Sequence, residues 1–402
     1  MLVANKNLSS AKNAKNDEFY TQYADIEKEM NAYLDFDADI FRDKTVLLPC
    51  DDPEWSNFTK YFAQNFEKLG LKKLSSTSYA LDSKPADLDL QLSLFEQESP
   101  KFDQHKSRSS GRIFSLDRDT NGDGRTNIAD IEWDYLVGDG DFRSDEVRAL
   151  RDEADIIVTN PPFSLFRVFL DWVTSVDKKF VVIGNMNAIT YKEVFPLIMK
   201  NKAWLGATGF NQGMYFRVPD GFVYSPTYKF ERAIDGVAVN RVPGVCWFTN
   251  LDHGRRHEPL ALMTEADNKR FSNHKEINGV GYHKYDNYNA IEVPFTDAIP
   301  SDYPGVMGVP ITFLDKYSPE QFEILGATQR GCHDAVPDTK KYDDYWEVRP
   351  DGTKTGSSGG KTNENANLVG NDGKKNYFTN KSSRVIQSAY QRIFIQHRKR
   401  SK

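Results

Sequence analysis

The sequence predicts an α/β protein built on an open, doubly wound parallel sheet. Three observations carry that class. Short apolar runs rich in β-branched residues recur at residues 45–49, 156–159 and 180–185. The first two each lead through a polar corner into a segment whose apolar residues return at helical spacing. A hydrophobic content of 39% with 13% aromatics is that of a folded globular chain, whereas long disorder needs less of both. Strands alternating with helices point to a parallel sheet with helices on its faces.

Taken in order, Asp17-Glu18-Phe19-Tyr20-Thr21 precedes a helix that carries Ile26, Met30 and Leu34. Residues 45–49 form a compact strand that runs into Cys50-Asp51-Asp52-Pro53, followed by an amphipathic helix with Phe58, Tyr61, Phe62 and Phe66. A second strand is expected over 71–79, and the polar stretch through residue 115 shows no clear period. Residues 137–142 lead into another helix. The strand 156–159 follows, then a corner, then a helix marked by Leu165, Phe166, Phe169, Leu170 and Val173, then the strand 180–185. Beyond about residue 220 turn residues and short strands such as 244–249 dominate. Residues 351–376 are so rich in Gly, Ser, Asn and Lys that they read as a flexible loop. There is no internal repeat, and Arg392-Ile393-Phe394-Ile395 is expected to return as a last strand.

A chain of 402 residues can bury one large core and a smaller one, so two domains are expected, 1–220 and 221–402, with an insertion at 117–134. Three cysteines, Cys50, Cys246 and Cys332, are too few and too scattered for a disulfide framework or a Cys-rich zinc site, and fit a reducing cytoplasm. No run approaches a membrane span, and the N-terminus is too poor in apolar residues for a secretory signal. A formal net charge of −6 argues against a nonspecific nucleic-acid coat and leaves room for a basic surface on an acidic body. Lys6, Lys12 and Lys15 precede the first acid. Lys374, Lys375, Lys381, Arg384, Arg392, Arg398, Lys399, Arg400 and Lys402 close the chain with no acid among them, and Arg255-Arg256 stand between His253 and His257. Such runs either stay solvated or contact phosphate.

The chemistry concentrates at Asn160-Pro161-Pro162-Phe163, which looks like the catalytic corner of an amino-group methyltransferase. The exocyclic amine of adenine is a poor nucleophile because its lone pair is delocalised into the ring. An Asn side-chain oxygen and a Pro carbonyl that both accept from the NH2 group favour a more tetrahedral nitrogen, with its lone pair aimed at a methyl donor. Two prolines fix φ near −65° and bias Asn160 to an extended conformation, so the carbonyl direction of Pro161 is set in advance. Phe163 offers a face on which an extruded base can stack. The plain alternative is a strand end followed by a proline-initiated helix. The preceding strand and following helix favour the catalytic reading, since ligands bind at the carboxyl edge of open α/β sheets.

With these segments in order, the chain resembles the EcoRI-type adenine-specific DNA modification methylases. The resemblance runs through Asp17 to Tyr23, Cys50 to Pro53, Ser56 to Phe58, Gly138 to Ser144, Thr159 to Phe166, Ile189 to Phe195, Trp204 to Gly206, Lys284 to Tyr288 and Gly305 to Leu314. It implies a Rossmann-like S-adenosylmethionine-dependent methyltransferase sheet with a C-terminal target-recognition region. It also implies methyl transfer from S-adenosylmethionine to N6 of an adenine flipped out of double-stranded DNA. Carried over by residue, Asn160, Pro161, Pro162 and Phe163 meet the target base. Phe19, Tyr20 and Thr21 lie beside the methionine part of the cofactor, the Cys50, Asp51, Asp52 and Pro53 loop borders it, and Asp141 and Phe142 meet its adenine. Target recognition falls to the C-terminal region, where Arg255, Arg256, Lys284 and Asn287 are polar enough to contact bases or phosphates. A monomer is expected, with any cognate restriction endonuclease acting separately. The loop after the first strand lacks the glycines that methyltransferases at large carry there. No acid ends the 71–79 strand for the cofactor ribose either, and Asp51 or Asp52 can substitute there or act as a helix N-cap. The same corner also serves protein glutamine methyltransferases and, with Ser in place of Asn, cytosine N4 methyltransferases. A sequence-specific DNA-binding protein without catalysis is the remaining alternative.

The loop from Asp119 to Asp130 has oxygen-bearing residues Asp119, Asn121, Asp123 and Asp130 at positions 1, 3, 5 and 12, Gly124 at 6 and Arg125 at 7. That is EF-hand spacing with Asp for the terminal Glu, and it predicts a structural calcium ion. A Gly- and Asn-rich turn explains the same residues.

Overall fold

The structure is a computed structural model that describes residues 20–51, 56–80, 99–209, 214–217, 232–234, 237–242, 244–328, 340–389 and 391–399. It falls into two compact units, one made of residues 1–188 and 203–254 and the other of 189–202 and 255–402. The sequence-based boundary at residue 220 differs from this division. The chain beyond 220 returns to the first unit, where the strand Val245–Thr249 pairs along the strand Lys179–Asn185.

The first unit is organised by a sheet of eight strands. Its parallel centre comprises β2 (Thr45–Leu48), β3 (Lys73–Ser78), β6 (Ile156–Thr159) and β7 (Lys179–Asn185), with β2 between β3 and β6. Outside β3 lie β4 (Arg112–Leu116) and β5 (Glu132–Tyr135), both antiparallel. Outside β7 lie β12 (Val245–Thr249) and β8 (Trp204–Leu205), again antiparallel. The expected parallel sheet thus forms the centre, with antiparallel strands added on both sides. β4 and β5 escape the sequence because they are half-buried strands at one end of the sheet; in β4 only Arg112, Phe114 and Leu116 face inward, and β5 is the edge. A smaller sheet in the order β1 (Tyr20–Thr21), β9 (Met214–Arg217), β11 (Val237–Val242) and β10 (Arg232–Ile234) completes the strands of this unit.

Helices form where the apolar spacing places them. Helix α1 (Tyr23–Phe36) buries Ile26, Met30 and Tyr33, and α2 (Asn57–Gln64) buries Phe58, Tyr61 and Phe62. All six sit in one cluster with Val46, Leu48, Ile156, Val158 and Trp247. Each such side chain contributes roughly 1.5–3 kcal/mol by leaving water. Helix α3 (Asp145–Glu153) is capped by Ser144 and α4 (Phe166–Thr174) buries Phe166, Phe169, Leu170 and Val173. The chain enters the sheet centrally at β2, runs out to β3, and returns to the other side of β2 at β6. That reversal opens the crevice at the carboxyl ends of β2 and β6 where α/β sheets hold ligands.

The second unit carries two sheets. One has the order β13 (Ala290–Glu292), β14 (Val306–Pro310), β21 (Arg392–His397) and β15 (Phe322–Ala327). The expected last strand thus lies centrally, with Ile393, Phe394 and Ile395 fully buried. The other has the order β17 (Lys354–Ser358), β16 (Trp346–Val348), β19 (Tyr377–Thr379), β20 (Val385–Ser388) and β18 (Asn367–Val369). The expected loop at 351–376 therefore contains two short strands, β17 and β18, and a 3-10 turn between them. Its glycines supply turns at positive φ (Gly352, Gly356, Gly370 and Gly373), and backbone pairing organises it more than a large apolar core does.

A buried ion pair anchors β21 to β13. The Arg392 guanidinium lies 2.5 Å (Nη2) and 3.1 Å (Nε) from Glu292 Oε1, and Tyr285 donates its hydroxyl to Glu292 Oε2. Glu292 pushes the buried Tyr285 phenol well above its ordinary pKa, in addition to the effect of desolvation. Removing one member of such a group strands the other charge in the interior. Arg392→Ala is therefore expected to cost about 3–5 kcal/mol of stability by urea denaturation. A loss near that of an exposed ion pair would show that water reaches the group.

Candidate active site

The first strand ends at Pro49, and Cys50 then adopts a left-handed backbone with φ of 73°. That conformation is uncommon for a residue with a Cβ and turns the chain sharply at the sheet edge. Asp51, next in line, is buried at 6% exposure. Its N–H donates to Thr77 O at 2.9 Å, holding it against the end of β3. Carboxylate Oδ1 accepts from the Ser56 hydroxyl at 2.8 Å, and Ser56 caps α2 by accepting from Phe58 N–H at 3.1 Å. Oδ2 lies 2.5 Å from Thr159 Oγ1, the last residue of β6, and that hydroxyl also lies 2.5 Å from Pro49 O. The Asp51 carbonyl accepts from Ser76 and from Thr59. Asp51 is neither the helix cap nor an open ribose ligand. It braces the loop after β2 against the residue that precedes Asn160.

The corner itself follows the sequence. Asn160 is half-buried, Pro161 is buried, and Pro162 has φ −52° and ψ 125°, which leads into a 3-10 turn over Phe163–Leu165 and then α4. The half-buried Phe163 ring packs against the main core cluster. The proline pair thus sets the backbone on which the Asn160 amide and the Pro161 carbonyl are presented.

A second loop approaches from the end of β3. Ala80 N–H donates to Asp139 O at 2.8 Å and Gly111 N–H to Gly138 O at 2.8 Å, while Glu146 accepts from the N–H groups of Val137 and Gly138. Gly140 sits at φ +83° with Ser78 O where a Cβ would go, so only glycine permits this approach. Asp141 is held half-buried by Arg143, whose Nε and Nη2 lie 2.9 and 2.5 Å from its two oxygens; this contact lowers the Asp141 pKa and raises that of Arg143. Phe142 departs from expectation. Its ring is fully buried between Phe169 and Trp172, with centroids at 5.2 and 5.5 Å, so it serves the core of α4 and has no open face for a ligand.

Thr21 lies beside the start of α2. Its carbonyl accepts from Asn57 Nδ2 at 2.7 Å, and its hydroxyl is buried without a hydrogen-bond partner among the described residues. An orphaned buried hydroxyl beside the β2 loop fits a site that a polar cofactor completes. Phe19, Asp52 and Pro53 lie outside the described residues, as does the Tyr20 side chain.

The candidate DNA contacts divide. Arg256 is buried and its guanidinium is bonded to Asn201 Oδ1. Asn287 is buried too, donating to Asn365 O and accepting from Asn367 N–H at 2.8 and 2.9 Å. Both therefore hold the second unit together and neither presents a polar tip to a base. Arg255 is ion-paired to Asp315 at 2.7 Å, and Lys284 is exposed.

The calcium expectation does not fit the donor set. A strand precedes the loop and a 3-10 helix (Ile128–Asp130) follows, in place of paired helices. Asp119 accepts from Gly122 and Gly124 N–H, Asn121 from Asp123 N–H, Asp123 from Arg125 N–H, and Asp130 from Thr120, Asn121 and Asn127 N–H. Among the described residues no three His, Cys, Asp or Glu side chains gather to hold a metal ion.

An open α/β sheet with an Asn-Pro-Pro-Phe corner at its carboxyl edge and an acid-bearing loop beside it defines a methyltransferase that acts on an amino group. The family model described as "Adenine-specific methyltransferase EcoRI" matches residues 7–398, and the chain belongs to that family. It is 45% identical to the Type II methyltransferase M.EcoRI of Escherichia coli over 330 residues, which is 80% of this chain and 89% of that one. It is 35% identical to the Type II methyltransferase M.MpnI of Mycoplasma pneumoniae over 316 residues, 78% of this chain and 83% of the relative. A Mycoplasma genitalium relative, Type II methyltransferase M.MgeORF184P, is 34% identical over 316 residues, 78% of this chain and 84% of its own length. No solved structure gives a significant match. Membership in this family implies S-adenosylmethionine as methyl donor. Among the described residues, no helix is long and apolar enough to cross a membrane.

Two predictions follow from this geometry. Thr159→Val leaves Asp51 Oδ2 and Pro49 O without their donor and should cost about 1–3 kcal/mol in urea denaturation, with Thr159→Ser recovering most of it; equal losses in both variants would place the effect in the methyl group. Excess calcium should leave the melting temperature where EGTA leaves it, and a rise with calcium would restore the EF-hand interpretation.

Proposed function

We propose that the chain methylates N6 of an adenine flipped out of double-stranded DNA, with Asn160 and the Pro161 carbonyl as the groups that accept from the amine. Placement of the Asn-Pro-Pro-Phe corner at the sheet's reversal, braced by Asp51, is the observation that carries this proposal. When bound, S-adenosylmethionine supplies an electrophilic methyl on a sulfonium sulfur. Accepting both amine hydrogens, the Asn160 oxygen and the Pro161 carbonyl draw the nitrogen lone pair out of conjugation and aim it along the line of displacement. As the N–C bond forms the C–S bond breaks, leaving its electron pair on sulfur, and the amine proton passes to solvent. Phe163 stacks on the extruded base at about 1–3 kcal/mol, offsetting part of the flipping cost. Asp141 accepts from the cofactor's own amino group.

The DNA surface is assigned to the second unit on charge. Residues 340–402 hold 14 Lys and Arg against 6 Asp and Glu, in a chain whose formal net charge is −6. Lys354, Lys374 and Lys375 are exposed in the five-stranded sheet and its turns, where counterion release rewards phosphate contact. We further propose a monomer that works with a separate cognate endonuclease. The family match over almost the whole chain favours DNA over a glutamine side chain as substrate.

Asn160→Ala should lower kcat by about 10²–10³, the scale of one lost transition-state contact, while cofactor affinity by calorimetry stays near wild type. Substantial residual turnover would remove Asn160 from the chemistry. Replacing Lys374 and Lys375 together by Ala should reduce the slope of log K against log salt by about 2. An unchanged slope would move the DNA surface elsewhere.

A further inference from the structure

The end of β3 is where nucleotide-binding α/β sheets commonly place an acid against the cofactor ribose. In this chain that place is taken by Tyr79, the residue directly after the strand Lys73–Ser78. Tyr79 is half-buried. Cys50 Sγ lies 3.8 Å from its phenol oxygen, on the donor side of that contact, at the turn that ends β2, and Phe142 of the loop that carries Asp141 is its backbone neighbour. With the thiol as donor, the hydroxyl proton can turn toward an added acceptor. Burial, followed by the negative fields of Cys50 and Asp141, drives the phenol pKa far upward, so the group stays a donor at any physiological pH. Tyr79 thus stands where the β2 turn, the end of β3 and the Asp141 loop meet.

We propose that Tyr79 is a cofactor-binding residue whose hydroxyl donates to a ribose hydroxyl of S-adenosylmethionine, replacing the acid that accepts from it elsewhere. This rests on the assignment of the cofactor to the carboxyl edge of β2 and β3. A carboxylate there would add negative charge beside Asp141, whereas a phenol supplies a hydrogen bond without it. Burial of the ring and the Cys50 contact hold the phenol in one place before the cofactor arrives.

The test is calorimetric binding of S-adenosylhomocysteine and its 2′-deoxy and 3′-deoxy analogues to wild type and to Tyr79→Phe, with DNA affinity of the same samples as the check on folding. Wild type should bind one deoxy analogue about three- to tenfold more weakly than the parent, the scale of one hydrogen bond. Tyr79→Phe should bind that analogue and the parent alike. A variant that still discriminates as wild type does, or a wild type that does not discriminate, overturns the proposal. 3-Fluorotyrosine at position 79 keeps the packing and strengthens the donor, so it should tighten the parent and leave the insensitive analogue unchanged; equal effects on both contradict a ribose contact. Failure of wild type to bind S-adenosylhomocysteine at all would overturn the cofactor assignment beneath it, which the analogue ratios do not address.

Discussion

The site depends on one buried carboxylate. Asp51 joins its N–H to β3, Oδ1 to the cap of α2 and Oδ2 to the last residue of β6. The ends of β3 and β6 and the start of α2 are thereby held to one residue at 6% exposure. A carboxylate in such a place is costly unless its oxygens are satisfied, and the hydroxyls of Ser56 and Thr159 contribute to this. The geometry of Asn160 follows from it, because Asn160 is bonded in sequence to Thr159 and its own backbone is restricted by the prolines that follow. An amide held on both sides in this way needs little reorganisation, which suits the role proposed for it.

The two units solve different problems with similar means. In the first, buried carboxylates pin chain turns. Glu29 is fully buried and accepts from Tyr33 and from the N–H groups of Ala207 and Thr208, fixing the chain after β8 just as Asp51 fixes the chain after β2. In the second, Glu292 takes Arg392, and Asp286 takes Lys340, Arg384 and Tyr342 at 2.6–2.8 Å. Some of the cations that make the C-terminal segment basic are therefore engaged in structure, while Lys374 and Lys375 stay exposed.

Much of this was legible before any coordinates. The strands at 45–48, 156–159 and 179–185 announce themselves because they are buried on both faces and read as unbroken apolar runs. The corner is legible because proline acts locally. What the sequence hides is long-range. Nothing in Arg256 or Asn287 distinguishes a buried polar residue from a DNA contact, since that depends on Asn201, Asn365 and Asn367. Phe142 sits in a loop with the right acid beside it, yet its ring belongs to the packing of α4. The glycine-rich 351–376 segment read as loop because its strands are short and pair by backbone, with little apolar alternation to reveal them. Tyr79 draws no notice in the sequence, because the residue type expected at that strand end is an acid.

The most direct test of the account is single-molecule sequencing of genomic DNA from cells that express the chain, beside cells that express Asn160→Ala. The account predicts N6-methyladenine at one short recurring sequence in the first and not in the second. Unmodified adenine in both, with the protein present and folded, would contradict it.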